Sequence, residues 1–191
     1  MTEITKPNSK ELLFLKLAYN AFYDIADELK SDSFWDKNAN YRYQRIKEGF
    51  AIYSELLEYE PIKHAIKALK KMRPPMEAEI AGELFPVIRN ILLHFPFYKT
   101  WDEVWFNKEL INWSHEGRTI DKFFMTYEGY TVVKYRYWEP DKKLMTYLSI
   151  NFPDRYTKGN PIYLKNILKE KEGTMFAYIM MKSVIDTQVE K

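Results

Sequence analysis

The chain contains no cysteine. Disulfide staples, iron–sulfur clusters and thiolate zinc centres are excluded, and a reducing cytoplasm is the expected compartment. Glycine is scarce, 6 residues in 191. Neither a phosphate-cradling P-loop nor a dinucleotide fingerprint is present, so nothing motivates nucleotide hydrolysis or nicotinamide chemistry. A G-x-S-x-G nucleophile elbow is also missing. No apolar run approaches the roughly 18 residues of a spanning helix, and the opening MTEITKPNSK lacks the apolar stretch of a signal peptide. No membrane association is expected. An excess of one charge is absent too: 29 basic and 27 acidic residues leave a net charge of +2. Any nucleic-acid contact must therefore come from a local basic patch.

What is abundant is apolar and aromatic. Hydrophobic residues make up 46% of the chain, and there are 15 Tyr, 12 Phe and 5 Trp. A chain of this length and composition buries a full core. The aromatics suit core and interface packing, with base stacking as the alternative use.

Apolar periodicity predicts a long helix over 11–30, with Leu12, Leu15, Tyr19, Phe22, Ile25, Ala26 and Leu29 at spacings of three and four and Ser9 as its N-cap. SDSFWDKNAN reads as a connector. A second helix is expected over 41–59, with Ile46, Phe50, Tyr53, Leu56 and Leu57 facing inward. Pro61 opens a third, PIKHAIKALKKMR, which ends at Pro74–Pro75. A fourth is expected over 76–95, kinked at Pro86. Thr100 and Glu103 form a capping-box pattern that predicts a fifth helix to Trp113. Beyond residue 117 the period drops toward two. TVVKYRYW (131–138) and LMTYLSINF (144–152) predict a β-hairpin, and KFFMTY (122–127) a third strand of a meander. Helix returns after Pro161, above all over 174–188. The expectation is one mainly α domain spanning 1–191: an antiparallel bundle over about 10–115, a small hairpin or meander near 119–152, and a C-terminal helical segment near 161–190.

One segment combines a core-helix pattern with reactive side chains. In FPVIRNILLHFPF (85–97), Ile88, Ile91, Leu92 and Phe95 form an apolar stripe with the preceding Leu84, while Arg89, Asn90 and His94 are polar. Asn90 and His94, four apart, share a face, and an uninterrupted helix extends that stripe back to Glu83 and Glu79. Arg89 lies about 140° round from His94. Such a stripe is also the ordinary wet face of an amphipathic helix, and Arg and His near a helix C-terminus offset its dipole.

The segment RNILLH resembles the motif of the HEPN superfamily, an Arg followed after four to six residues by a His, often with a polar residue directly after the Arg. On this chain the motif maps to Arg89, Asn90 and His94, inside a chain expected to be helical over 10–115. Some members carry a Tyr two residues after the His; here that position is Pro96. The resemblance implies a helical bundle that dimerises with its motif helices facing each other. It also implies a metal-independent endoribonuclease of toxin–antitoxin, phage-defence or stress systems, or an inactive relative that binds RNA or protein. On this basis Arg89 and His94 are the expected catalytic residues, Asn90 assists and Glu83 is a further candidate. No cofactor is expected. The expected partners are RNA, a second copy of the chain and an antitoxin or other regulatory protein.

The residue types suit the chemistry. RNA carries its own nucleophile, the 2′-hydroxyl, and histidine, with an ordinary pKa of about 6.5, serves as acid or base near neutrality. An Arg fork stabilises the charge that gathers on phosphorus oxygens in the transition state. A basic helix, with Lys63, Lys67, Lys70, Lys71 and Arg73, is the candidate phosphate-binding patch, or else a solvated face favouring a helix C-terminus. Lys134 and Arg136 beside Tyr135, Tyr137 and Trp138 form a second basic–aromatic set, read either as a single-strand contact or as alternating wet and core faces. The three histidines, His64, His94 and His115, are far apart and none sits in a metal-ligand spacing. The alternative to an enzyme is a non-catalytic helical domain that binds RNA or protein. A third reading is a bundle lined by Tyr and Trp that takes a small molecule.

Overall fold

In a computed structural model the described residues are 7–57, 59–72, 80–112, 119–139 and 143–186. They fold as a mainly helical protein with a small antiparallel hairpin. Helix α1 (Ser9–Lys30) begins two residues earlier than periodicity suggests. Asn8, not Ser9, is its N-cap: Asn8 Oδ1 accepts from the backbone N–H of Glu11 at 3.0 Å while Glu11 returns a carboxylate oxygen to the Asn8 N–H at 2.7 Å. The expected connector contains a turn of helix, α2 (Asp32–Trp35), because Phe34 is buried and its rim is tied down by the Trp35 indole donating to the Leu29 carbonyl at 2.9 Å. Helix α3 (Ala39–Leu56) buries Ile46, Phe50 and Leu56, with Tyr53 and Leu57 half-buried. Helix α4 (Glu60–Met72) opens beside Pro61 as expected.

The next helix has two parts. A π-helical turn, Ile80–Leu84, runs directly into α5 (Phe85–His94). Pro86 has no N–H to offer the preceding turn and its ring crowds the Gly82 carbonyl, so a widened turn is the local solution. Met76 to Glu79, part of the expected helix, lie outside the described residues.

The expected helix from Thr100 to Trp113 does not form. Thr100 makes no side-chain cap, and Glu103 bonds instead to the Lys99 N–H at 3.0 Å. Only a 3₁₀ turn (Trp101–Glu103) results, followed by strand β1 (Trp105–Phe106) and the short helix α6 (Lys108–Asn112). Two long-range bonds explain this. The Trp101 indole donates to the Leu168 carbonyl at 3.0 Å, and the Val104 carbonyl accepts from the Leu164 N–H at 2.9 Å. Tertiary pairing overrides the local cap.

KFFMTY is likewise not a strand: all of it but Tyr127 lies in helix α7 (Thr119–Thr126). Ile120, Phe123, Phe124 and Tyr127 stand at helical spacing; the first three are buried, and the three aromatics pack against Phe152. The hairpin forms where expected, β2 (Thr131–Glu139) pairing antiparallel with β3 (Leu144–Asn151), with an irregularity between Val133 and Tyr135. Strand β4 (Ile162–Tyr163) pairs with β1, and the short helix α8 (Leu164–Ile167) leads into α9 (Glu170–Asp186).

Helix α9 closes the core. Tyr178 is buried and stacks on Phe22 of α1 at 5.2 Å between ring centroids, and its hydroxyl donates to the Ile46 carbonyl of α3 at 3.1 Å. At the start of α9, Glu170 receives both arms of the Arg42 guanidinium, at 3.1 and 2.8 Å. At its end, Asp186 accepts from the Tyr23 hydroxyl and pairs with Lys182 at 2.6 Å. No helix of the described residues is long and apolar enough to cross a membrane.

Candidate functional site

Helix α5 is anchored by burial of Leu84, Ile88, Ile91 and Leu92, and its backbone ends as Phe95 turns away before Pro96. Fixing that apolar face decides where the polar residues go. Asn90 and His94 are exposed and Arg89 is half-buried. The Arg89 guanidinium turns toward its neighbour, with Nε and Nη2 donating to Asn90 Oδ1 at 3.3 and 3.1 Å. Glu83 is half-buried within the π turn, and Glu79 lies outside the described residues. Glu83 thus sits in the π turn and Asn90 in the α-helix that follows it.

Arg89 and His94 are not on one side of the helix. Arg89 lines a half-open cavity of about 220 Å³ bordered by α3, α4, α5 and α9, where Phe50, Tyr53, Phe85, Met180 and Val184 are among the walls. His94 does not line it. Its imidazole stands at the solvent-exposed end of α5. Arg89 thus lies against the cavity while its guanidinium reaches Asn90, and His94 stands outside the cavity lining.

Sequence reasoning passed over Phe97. It is 65% exposed three residues after His94, and packs edge-on to Phe95 and tilted to Tyr98, centroids 5.7 and 4.6 Å away. Tyr98 is itself fixed by its hydroxyl donating to the Trp105 carbonyl at 2.5 Å. The outer face of Phe97 is thus presented by a rigid aromatic base. The signal was in the sequence: Pro96 ends the helix and leaves the following aromatic no helical face to bury.

On α4, Lys63, Lys67 and Lys71 recur at four-residue spacing and share a face. Lys67 and Lys71 are exposed and Lys63 is half-buried. The side chain of Lys70 and all of Arg73 lie outside the described residues, as do the side chains of Lys134, Tyr135, Arg136, Tyr137 and Trp138 and all of His115. His64 stands 4.0 Å from Glu60 on the same helix. Among the described residues no three His, Asp or Glu side chains converge. No protein-family model, curated protein or solved structure matches this chain.

Proposed function

We propose that the chain is a HEPN-type, metal-independent endoribonuclease of a toxin–antitoxin or phage-defence system, acting in the cytoplasm on single-stranded RNA. The observation that carries the proposal is the exposure of His94 at the end of a helix whose other face is fully committed to the core, with Arg89 and Asn90 joined one turn earlier. A histidine needed only for packing has no reason to stand in solvent on the most apolar helix of the bundle.

The composite site takes two copies with their α5 helices face to face. One His94 then removes the 2′-hydroxyl proton and the other protonates the leaving 5′-oxygen. The 2′-oxygen bonds to phosphorus, the bond to the 5′-oxygen breaks, and the products are a cyclic phosphate and a free 5′-hydroxyl. The Arg89 fork stabilises the crowded phosphorane. Asn90 holds that fork, Phe97 offers a stacking face to a flanking base, and Lys67 and Lys71 bind the backbone.

The test is cleavage of single-stranded RNA in the presence of a chelator. Wild type should give cyclic-phosphate ends. His94→Ala should abolish cleavage with the melting temperature within a few degrees of wild type, because an exposed side chain contributes little to packing. Arg89→Lys should be severely impaired and Asn90→Ala mildly so, since an ammonium does not reproduce a bidentate fork. A monomer at high concentration by light scattering, with no cleavage, would overturn the proposal. One observation favours the second reading, a non-catalytic binding domain: Arg89 is among the residues that line a cavity and His94 is not. That reading predicts RNA or protein binding unchanged in His94→Ala.

A further inference from the structure

We infer that the outward face of α1 is a self-association surface, on which two copies of the chain pack their α1 helices antiparallel about a two-fold axis at Leu17. The inference does not rest on the ribonuclease proposal, and concerns a helix other than α5.

Helix α1 carries two stripes. Leu15, Phe22, Ile25, Ala26 and Leu29 are buried. On the opposite side Leu13 is 63% exposed, Phe14 54% and Leu17 64%. Ala21 is exposed and continues this second stripe, while Lys10 and Asp24, also exposed, close its two ends. At about 100° per residue, Lys10, Leu13, Phe14, Leu17, Ala21 and Asp24 fall within an arc of roughly 100°. A helix packed on one side only wears polar residues on the other. A contiguous apolar stripe with charged ends is instead the pattern of a surface that meets a partner.

The charges say what covers it. Asp27 of α1 pairs with Lys30, and Glu28 with Lys37 and Arg45. Among the described residues, Lys10 and Asp24 enter no ion pair. Each stands about two helical turns from Leu17, on opposite sides of it. An antiparallel pair with its axis at Leu17 therefore sets Lys10 of each copy level with Asp24 of the other, and the two-fold makes the match twice. The same register sets Leu13 against the small Ala21, and Leu17 against its own copy. A parallel pair would oppose Lys10 to Lys10 and Asp24 to Asp24, which is repulsive at both ends. An anionic surface would gain at Lys10 and lose at Asp24. One helix face over residues 10–24, about 22 Å long, is smaller than the roughly 800 Å² a side of a standard interface. The association is therefore in the micromolar range and depends on concentration.

The chain has no native cysteine, so an introduced one reports a single contact. Helices packed about 8–10 Å apart bring facing Cα atoms on the axis to roughly 4–6 Å, within disulfide reach. Leu17→Cys in the full chain should cross-link to a dimer under mild oxidation. Asp27→Cys, exposed on the same helix but about 15 Å along it from the axis, should not. In sedimentation up to about 200 μM, wild type should self-associate. Leu17→Glu should weaken that association at least about a hundred-fold with the melting temperature unchanged, because the side chain it replaces is exposed. Lys10→Glu and Asp24→Lys should each weaken it by about ten-fold, and the double reversal should restore it. The inference is overturned if Leu17→Cys cross-links no more than Asp27→Cys, or if Leu17→Glu associates as wild type does, the result that contact through α5 alone would give. It is also overturned if the single reversals change nothing or the double reversal recovers nothing. RNA cleavage by Leu17→Glu should equal that of wild type, so either proposal can fail without the other.

Discussion

Helices α3 and α9 meet twice, and the two meetings are unlike. At Gly49 there is no room at all. A Cβ built there would fall 1.8 Å from the Tyr178 hydroxyl oxygen and 2.5 Å from the ring carbon that bears it. Tyr178 has no freedom to retreat, because its ring is stacked on Phe22, set edge-on to Phe50 and hydrogen-bonded to the Ile46 carbonyl. A polar cluster lies over the same end. Glu28 of α1 accepts from Arg45 at 2.9 Å, from Lys37 at 2.9 Å and from Tyr41 at 2.7 Å. Farther along, the same two helices face each other through Tyr53, Leu57, Met180 and Val184 and leave a cavity between them and Arg89. One end is fixed by a glycine opposite an aromatic ring. The other keeps space beside its one charged group. A bundle of this kind holds its shape with a few over-determined contacts and can leave room at the opposite end without unfolding.

The contrast is broken most severely at its tight end. Gly49→Ala should cost about 2–4 kcal/mol by chemical denaturation, because overpacking against a pinned ring cannot relax cheaply. Gly49→Ala combined with Tyr178→Phe should be less damaging than the sum of the two single changes, since both act on one contact.

The Glu28 cluster gives a smaller, pH-dependent effect. Partial burial works to raise its carboxyl pKa, but the hydrogen bonds from Lys37, Tyr41 and Arg45 outweigh it and hold the group at about 2 against an ordinary 4.5. A lowered folded-state value means that the contribution is complete above about pH 4.5 and is lost as pH falls toward 2. Its size is about 1–2 kcal/mol once solvent screening is allowed for. Acid denaturation of Glu28→Gln should show a correspondingly flatter loss of stability across that window than wild type.

The smallest expected effect sharpens the comparison from the loose end. Val184→Ile adds one methylene toward the cavity and should stabilise the protein by roughly 0.5–1 kcal/mol in a thermal melt. The opposite sign to Gly49→Ala is the point: the same helix pair rejects a methyl group at one place and accepts it at another.

Much of this scaffold was legible from spacing alone. Helices α1, α3 and α4 and the β2–β3 hairpin follow from apolar periodicity and from Pro61. The failures share a cause. Trp101, Val104 and Phe106 carry a local helix signal through Thr100 and Glu103, but their partners, Leu168, Leu164 and Ile162, lie about sixty residues onward. No local pattern reports a partner so distant. In α7 the error was one of period: Phe123 and Phe124 side by side resemble a strand, until Ile120 and Tyr127 are counted with them. For the candidate site, the identities of Arg89, Asn90 and His94 were readable, and so was their polarity against the apolar stripe. Their directions were not, because those depend on the burial of the apolar stripe and on the hydrogen bonds between Arg89 and Asn90. Gly49 carried no warning, since its role is defined entirely by a tyrosine 129 positions away.

The dependence of α1 and α3 on α9 sets an order of events during synthesis. Phe22, Ile46 and Phe50 emerge from the ribosome long before Tyr178, and Arg42 before Glu170. Until the chain has been translated through α9, these helices lack the surface that covers them. Closing a loop of more than a hundred residues is entropically slow compared with forming the helices themselves. The nascent chain therefore passes through a stage with an apolar groove open to its surroundings, the stage at which a chaperone or premature self-association acts. A stall in translation before residue 170 would release a fragment with formed helices and an uncovered core.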